Sequence, residues 1–179
     1  TAWGRAINFD GPESDEVRRY FIANALHWIR DFHIDALRLD AVHAIMDFSP
    51  CPFLAQLALT VQDESERLGR KAHLFAESNL NDARLVRPAD FGGMGLDALW
   101  NDDFHHALHA VLTKEHDGYY QDYGRLEHLA RALRHGFTYT GEYSAFRRRR
   151  HGNSTSGIPG QGFVVCAQNH DQVGNRAIG

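Results

Sequence analysis

Cysteine is scarce: Cys51 and Cys166 are the only two in 179 residues, and they lie far apart. Without CxxC spacing they offer no redox or zinc pair, and they read as two reduced thiols packed in apolar surroundings, which suits a cytoplasm. Long apolar runs are missing too. None approaches the ~18 residues that a membrane span needs. The N-terminus lacks the basic-then-apolar pattern of a secretory signal. There is no excess of positive charge, since the net charge is −4 with His neutral. A global attraction to nucleic acid or anionic membrane is therefore not expected. No internal repeat appears at a fixed period. What remains is ordinary for a packed domain, with 43% apolar and 23% charged residues.

Helical and strand patterns alternate along the chain, which predicts α/β architecture with parallel strands. Ser14 is placed to cap a helix whose first turn holds Asp15 and Glu16. Val17, Tyr20, Phe21, Trp28 and Ile29 then recur at helical spacing. Pro52 opens a second helix and Gly69 ends it. Further helices are predicted at Phe104–Leu112 and Arg125–Leu133. Strands are predicted at Asp35–Asp40, His73–Glu77, Leu96–Trp100 and Phe163–Gln168. The Gly- and Ser-rich stretch Gly136–Gly162 reads as one long loop.

The chemistry gathers at strand ends. Side chains alternate along a strand, so Leu37 and Leu39 take one face while Arg38 and Asp40 take the other. Leu74-Phe75-Ala76-Glu77 repeats the scheme, with Glu77 last, and the final strand leads into Gln168-Asn169-His170-Asp171. A polar inner face that ends in an acid fits the C-terminal mouth of a parallel barrel, where such folds place active sites. One acid at a strand end is usually a helix cap or a solvated residue. Three, accompanied by Arg38 and His170, are harder to explain that way.

These motifs carry a resemblance. Asp35-Ala36-Leu37-Arg38-Leu39-Asp40-Ala41-Val42-His43 resembles the fourth-strand motif of the α-amylase family of glycoside hydrolases. Leu74-Phe75-Ala76-Glu77-Ser78 resembles its fifth-strand motif, and Gln168-Asn169-His170-Asp171-Gln172 its seventh. Trp3-Gly4 through Pro12, Leu99 to His106, Gly141-Glu142-Tyr143-Ser144 with Arg147–Arg150, and Asn169–Arg176 are similar to the family's trehalose-releasing branch.

The resemblance implies a partial (β/α)8 TIM barrel, from about the third crossover helix through strand seven, with residues 1–179 part of one catalytic domain and both ends truncated. It implies a retaining hydrolysis with Asp40 as nucleophile, Glu77 as general acid then base, and Asp171 gripping sugar hydroxyls in the transition state. Arg38 would pair with Asp40, and His170 would bind the sugar where cleavage occurs. His43, Trp100, Asp102 and Phe104 are the remaining expected substrate contacts, Trp100 and Phe104 as stacking platforms. The implied substrate is malto-oligosyl trehalose or a related α-glucan, with no metal, no organic cofactor, no nucleic acid and no membrane involved. A retaining pair of carboxyl groups should stand about 5–5.5 Å apart.

A glycogen branching enzyme or an ordinary α-amylase would share the same three acids, and a non-catalytic binding barrel would have lost some of them. His105, His106 and His109 lack an HExxH or Cys partner, so a polar helix face packed toward substrate is expected rather than a metal site. Arg147 to Arg150 read as a solvated loop paired to acids. An unclosed barrel would expose strand edges, so this length of chain alone is expected to be inactive and poorly stable.

Overall fold

The computed structural model of the protein describes residues 4–174, so Trp3, Asn175 and Arg176 of the sequence motifs lie outside the described residues. By its contacts the chain divides into two compact units, Thr1–Asn79 with Arg84–Leu99, and Leu80–Ala83 with Trp100–Gly179.

The first unit opens with helix α1 (Ser14–Asp31), followed by strand β1 (Ala36–Leu39), helix α2 (Phe53–Leu68) and strand β2 (His73–Ala76). Strand β3 (Ala98–Trp100) begins in this unit. Here β1 pairs parallel with β2, and β2 parallel with β3. Ser14 does not cap α1 as expected. It is the first helical residue and donates its N–H to the Gly11 carbonyl, while Glu13 holds the cap position at φ 62° without a side-chain bond. The buried stripe of α1 runs through Arg18, Ile22, Ala25, Leu26 and Ile29, leaving Tyr20 and Trp28 exposed. Burial of this arginine is offset because each of its three nitrogens finds an acceptor. Arg18 reaches Gln56 Oε1, the carbonyls of Phe9 and Cys51, and Asp47 Oδ2 at 3.0 Å.

Helix α2 begins after Pro52 and stops at Gly69, as the sequence predicts. Gly69 sits in the left-handed region at φ 61°, and the N–H groups of Gly69 and Arg70 close on the Glu66 and Ser65 carbonyls. Strand alternation is realised on β2. Leu74 and Ala76 are buried, while Phe75 and Glu77 are only partly covered. On β1, Leu37 and Leu39 line a cavity of about 410 Å³ with Phe9, Phe53, Leu54 and Leu57. Arg38 and Asp40 line it too, and all four residues of β1 are half-buried, so burial does not separate the two faces of this strand.

The second unit holds helix α3 (Asp102–Thr113), helix α4 (Leu126–His135), the short strands β4 (Tyr143–Ser144) and β5 (Arg149–Arg150), strand β6 (Phe163–Val164) and a five-residue helix α5 (His170–Gly174). The chain end of β3 lies in this unit, where Asn101 donates its N–H to the Val164 carbonyl at 2.9 Å. Helices α3 and α4 pack together around Ala107, Ala110 and Tyr123.

Three expectations are corrected here. The Gly136–Gly162 stretch is not one loop, because β4 and β5 form an antiparallel ribbon inside it. The Asp122 carboxylate takes the Ser144 hydroxyl and the N–H groups of Ala145 and Phe146, and so fixes the ribbon's turn from outside. The last strand ends at Val164 instead of reaching Gln168. Cys51 is exposed rather than packed, whereas Cys166 is half-buried; both are free thiols. Among the described residues no helix is long and apolar enough to cross a membrane.

Candidate active site

Strands β1 and β2 run in register, Leu37 opposite Leu74 and Leu39 opposite Ala76. Asp40 and Glu77 are each the residue that follows its strand, so both acids leave the same C-terminal edge. One arginine spans them. Arg38 Nη1 lies 2.6 Å from Asp40 Oδ1, and Arg38 Nη2 lies 3.8 Å from Glu77 Oε2. The two carboxylates are thus within reach of a single guanidinium fork. Their surroundings differ. The Asp40 side chain is 79% exposed, whereas that of Glu77 is 15% exposed.

Just beyond Asp40 the chain turns. Ala41 takes the left-handed conformation, φ 43° and ψ 45°, and starts a short 3-10 turn, Val42–Ala44, that contains the half-buried His43. The Ala41 N–H donates to Glu77 Oε2 at 2.6 Å. Sequence reasoning missed this contact, because an alanine gives no signal for a left-handed backbone. The loop that follows was legible in principle. Asp47 accepts from the Ser49 N–H two residues on, the pattern of an Asx turn. Burial pushes the Asp47 carboxyl up, but the Ser49 and Phe53 donors and Arg18 together hold it below its usual range.

In the second unit Asp171 sits in the first turn of α5, seven residues past β6, rather than at a strand end. The helix start is held reciprocally. The Asp171 N–H donates to Asn169 Oδ1 at 2.9 Å, and the Asn169 N–H donates to Gln172 Oε1 at 2.8 Å. His170 Nε2 lies 3.4 Å from Asp171 Oδ1. The rings of Trp100 and His170 meet edge-on with centroids 6.3 Å apart. These three expected site residues therefore form one group. Asp102 and Asp103 stand in the first turn of α3. Phe104 lines a cavity of about 780 Å³ with Asn101, Arg131, Gly136, Phe163 and Val165.

The histidines of α3 do not form the expected substrate-facing polar side. His105 and His106 are buried, and His105 Nε2 shares a hydrogen bond with the Tyr120 hydroxyl at 2.8 Å. Burial, with His105, Arg147 and His109 nearby, brings the His106 pKa down to about 3. The apolar-aromatic surroundings of Tyr119, Tyr120 and Tyr123 explain why polar residues at helical spacing still face inward. No cluster of three or more His, Cys, Asp or Glu capable of holding a metal ion occurs among the described residues. Arg149 and Arg150 are exposed on β5, and Arg150 donates to the Gly141 carbonyl.

Parallel strands alternating with helices define an α/β segment of the partial-barrel kind, with two acids at one strand edge bridged by an arginine. Comparison with known proteins agrees. The chain matches the crystal structure of a Salmonella typhimurium protein provisionally called an alpha amylase, with a TM-score of 0.86 and 40% identity over 99% of this chain and 30% of that one. The particular relatives are narrower in name. Malto-oligosyltrehalose trehalohydrolase from Arthrobacter ramosus is 51% identical over 99% of this chain, and that from Saccharolobus solfataricus is 48% identical over 100%. The chain spans about a third (31%) of the length of these curated relatives. A 1,4-alpha-glucan branching enzyme from Mycobacterium ulcerans matches at 32% over only 55% of the chain. No protein-family model matches. The chain is thus homologous, along its whole length, to one continuous part of the trehalohydrolases.

Proposed function

We propose that this chain supplies the catalytic acids of a retaining glycoside hydrolase that cuts the α-1,4-glucosidic bond next to the terminal trehalose of malto-oligosyl trehalose, releasing trehalose. The observation that carries the proposal is the Arg38 fork between an exposed Asp40 and a shielded Glu77 on adjacent parallel strands.

In this reading Glu77 protonates the glycosidic oxygen as Asp40 bonds to the anomeric carbon, and trehalose departs while the malto-oligosyl chain stays on Asp40. Water then gives its proton to Glu77, its oxygen bonds to the anomeric carbon, and Asp40 is released. Arg38 holds the nucleophile's carboxylate in place. Asp171 and His170 bind sugar hydroxyls, with Trp100, His43, Asp102 and Phe104 as further substrate contacts. Two carboxyl groups and water suffice for this chemistry, without metal or organic cofactor. A linear α-glucan ending in trehalose is the partner, and neither nucleic acid nor membrane is needed. Two free thiols accord with work in the cytoplasm.

Product analysis tests the proposal. The protein carrying this chain, incubated with malto-oligosyl trehalose, should release free trehalose. Maltose, or new α-1,6 branches with no trehalose, would reject it in favour of an amylase or a branching enzyme.

A further inference from the structure

The end of β1 does more than present Asp40. Three successive main-chain contacts from residues 39–42 enclose Glu77. The Glu77 N–H donates to the Leu39 carbonyl at 2.9 Å, the Val42 N–H donates to the Glu77 carbonyl at 3.0 Å, and between them the Ala41 N–H donates to Glu77 Oε2 at 2.6 Å. Making the last two contacts together depends on the backbone of Ala41. At φ 43° and ψ 45° it is left-handed, a region that non-glycine residues enter rarely and β-branched residues resist. With extended backbone at this position, successive N–H groups would point to opposite sides, and those of Ala41 and Val42 would not both face Glu77.

We propose that Ala41 is a positioning residue for the acid/base: its left-handed turn keeps the N–H groups of Ala41 and Val42 both on Glu77, the first on Oε2, and so fixes which carboxyl oxygen faces the substrate. The inference rests on the reading of Asp40 and Glu77 given above. An amide N–H does not give up its proton here, so Oε2 is held as an acceptor throughout the cycle and Oε1 is the oxygen that carries the proton. In the first step the Oε1 proton moves to the leaving oxygen while the C–O bond breaks. In the second, Oε1 takes the proton of the attacking water. A freely rotating carboxyl would have to find that orientation at each turnover. Coupling Glu77 to the residue after Asp40 also ties the two acids to one rigid turn.

The test uses leaving-group dependence in the enzyme carrying this chain. A maltotriosyl α-fluoride departs without protonation, and its kcat/KM reports bond cleavage alone. Ala41→Val should lower kcat/KM on malto-oligosyl trehalose about 10- to 100-fold, part of what a general acid contributes. The fluoride's kcat/KM should stay within about threefold. Ala41→Gly, free to adopt the left-handed region, should keep both activities. If the fluoride falls in step with the glucan, or Ala41→Gly loses as much as Ala41→Val, Ala41 serves only the turn and the inference is overturned. Should Ala41→Val not fold, Ala41→Leu takes its place; if neither folds, the residue holds the fold and the inference is likewise lost. A parent enzyme that cleaves neither compound would instead remove the proposed function itself.

Discussion

Two pairs of acids in this molecule are treated in opposite ways. In the first unit Asp40 and Glu77 share a single arginine, and Asp40 is left mostly open. In the second unit Asp103 and Asp122 are buried and surrounded by donors. Asp103 takes the Tyr123 hydroxyl, Asn81 Nδ2, and the N–H groups of Thr138 and Tyr139. A carboxylate surrounded by donors from its own chain organises the fold and has little capacity left for a substrate. One with few fixed partners, close to a second acid, remains available for chemistry. Burial nevertheless pushes the Asp103 carboxyl up against its four donors, and pushes the Tyr123 hydroxyl up beside it.

The comparison breaks most directly at Glu77. Glu77→Gln in the enzyme carrying this chain should cut trehalose release by about 10²–10⁴-fold, with the melting temperature unchanged. Hydrolysis at the parent rate would place the chemistry elsewhere. Asp103→Ala should do the reverse, leaving buried donors unsatisfied and costing about 3 kcal/mol in denaturant unfolding. A loss no larger than for a surface residue would show that the buried acid is not an organiser.

Acid should separate the two regions next. His106 is brought down to about 3 and His151 to about 4 from 6.5, chiefly by burial. A base with a depressed folded pKa binds its proton more readily when unfolded. Its contribution is complete above about 6.5 and is lost as pH falls from there toward 3–4. In the first unit Arg30 and Arg67 hold Glu64 at about 2 instead of 4.5, so that contribution survives until pH falls below about 4.5. Unfolding free energy measured from pH 7 to pH 5 should therefore fall through the second unit, and His106→Gln should flatten the slope. A slope unchanged by His106→Gln would contradict this. The smallest effect is expected for Tyr123→Phe, which removes one of the four donors to Asp103 and should cost about 1 kcal/mol by the same measurement.

Much of the site could be read from the chain because it is local. Arg38 and Asp40 share a strand face two residues apart, and Glu77 ends an equally plain strand. Helix α2 was legible from Pro52 and Gly69 for the same reason. What failed to show depends on distant partners. The β4–β5 ribbon has only two residues per strand and is held by Asp122 from another part of the chain, so neither periodicity nor composition marked it. The final apolar run continues past Val164, yet the strand does not, since pairing rather than hydrophobicity decides where a strand ends. His105 and His106 read as a polar face because their buried tyrosine partners come from Gly118–Asp122 and beyond.

By itself the sequence determined the alternation of helices and strands and the positions of Asp40 and Glu77 at strand ends, because period-two patterning and capping residues act over a few neighbours. Only the tertiary structure decided that one guanidinium reaches both acids, that the Ala41 amide turns onto Glu77, and that Asp103 is enclosed by four donors. Those contacts join residues far apart in the chain, and no local pattern encodes the angle at which two strands bring them together.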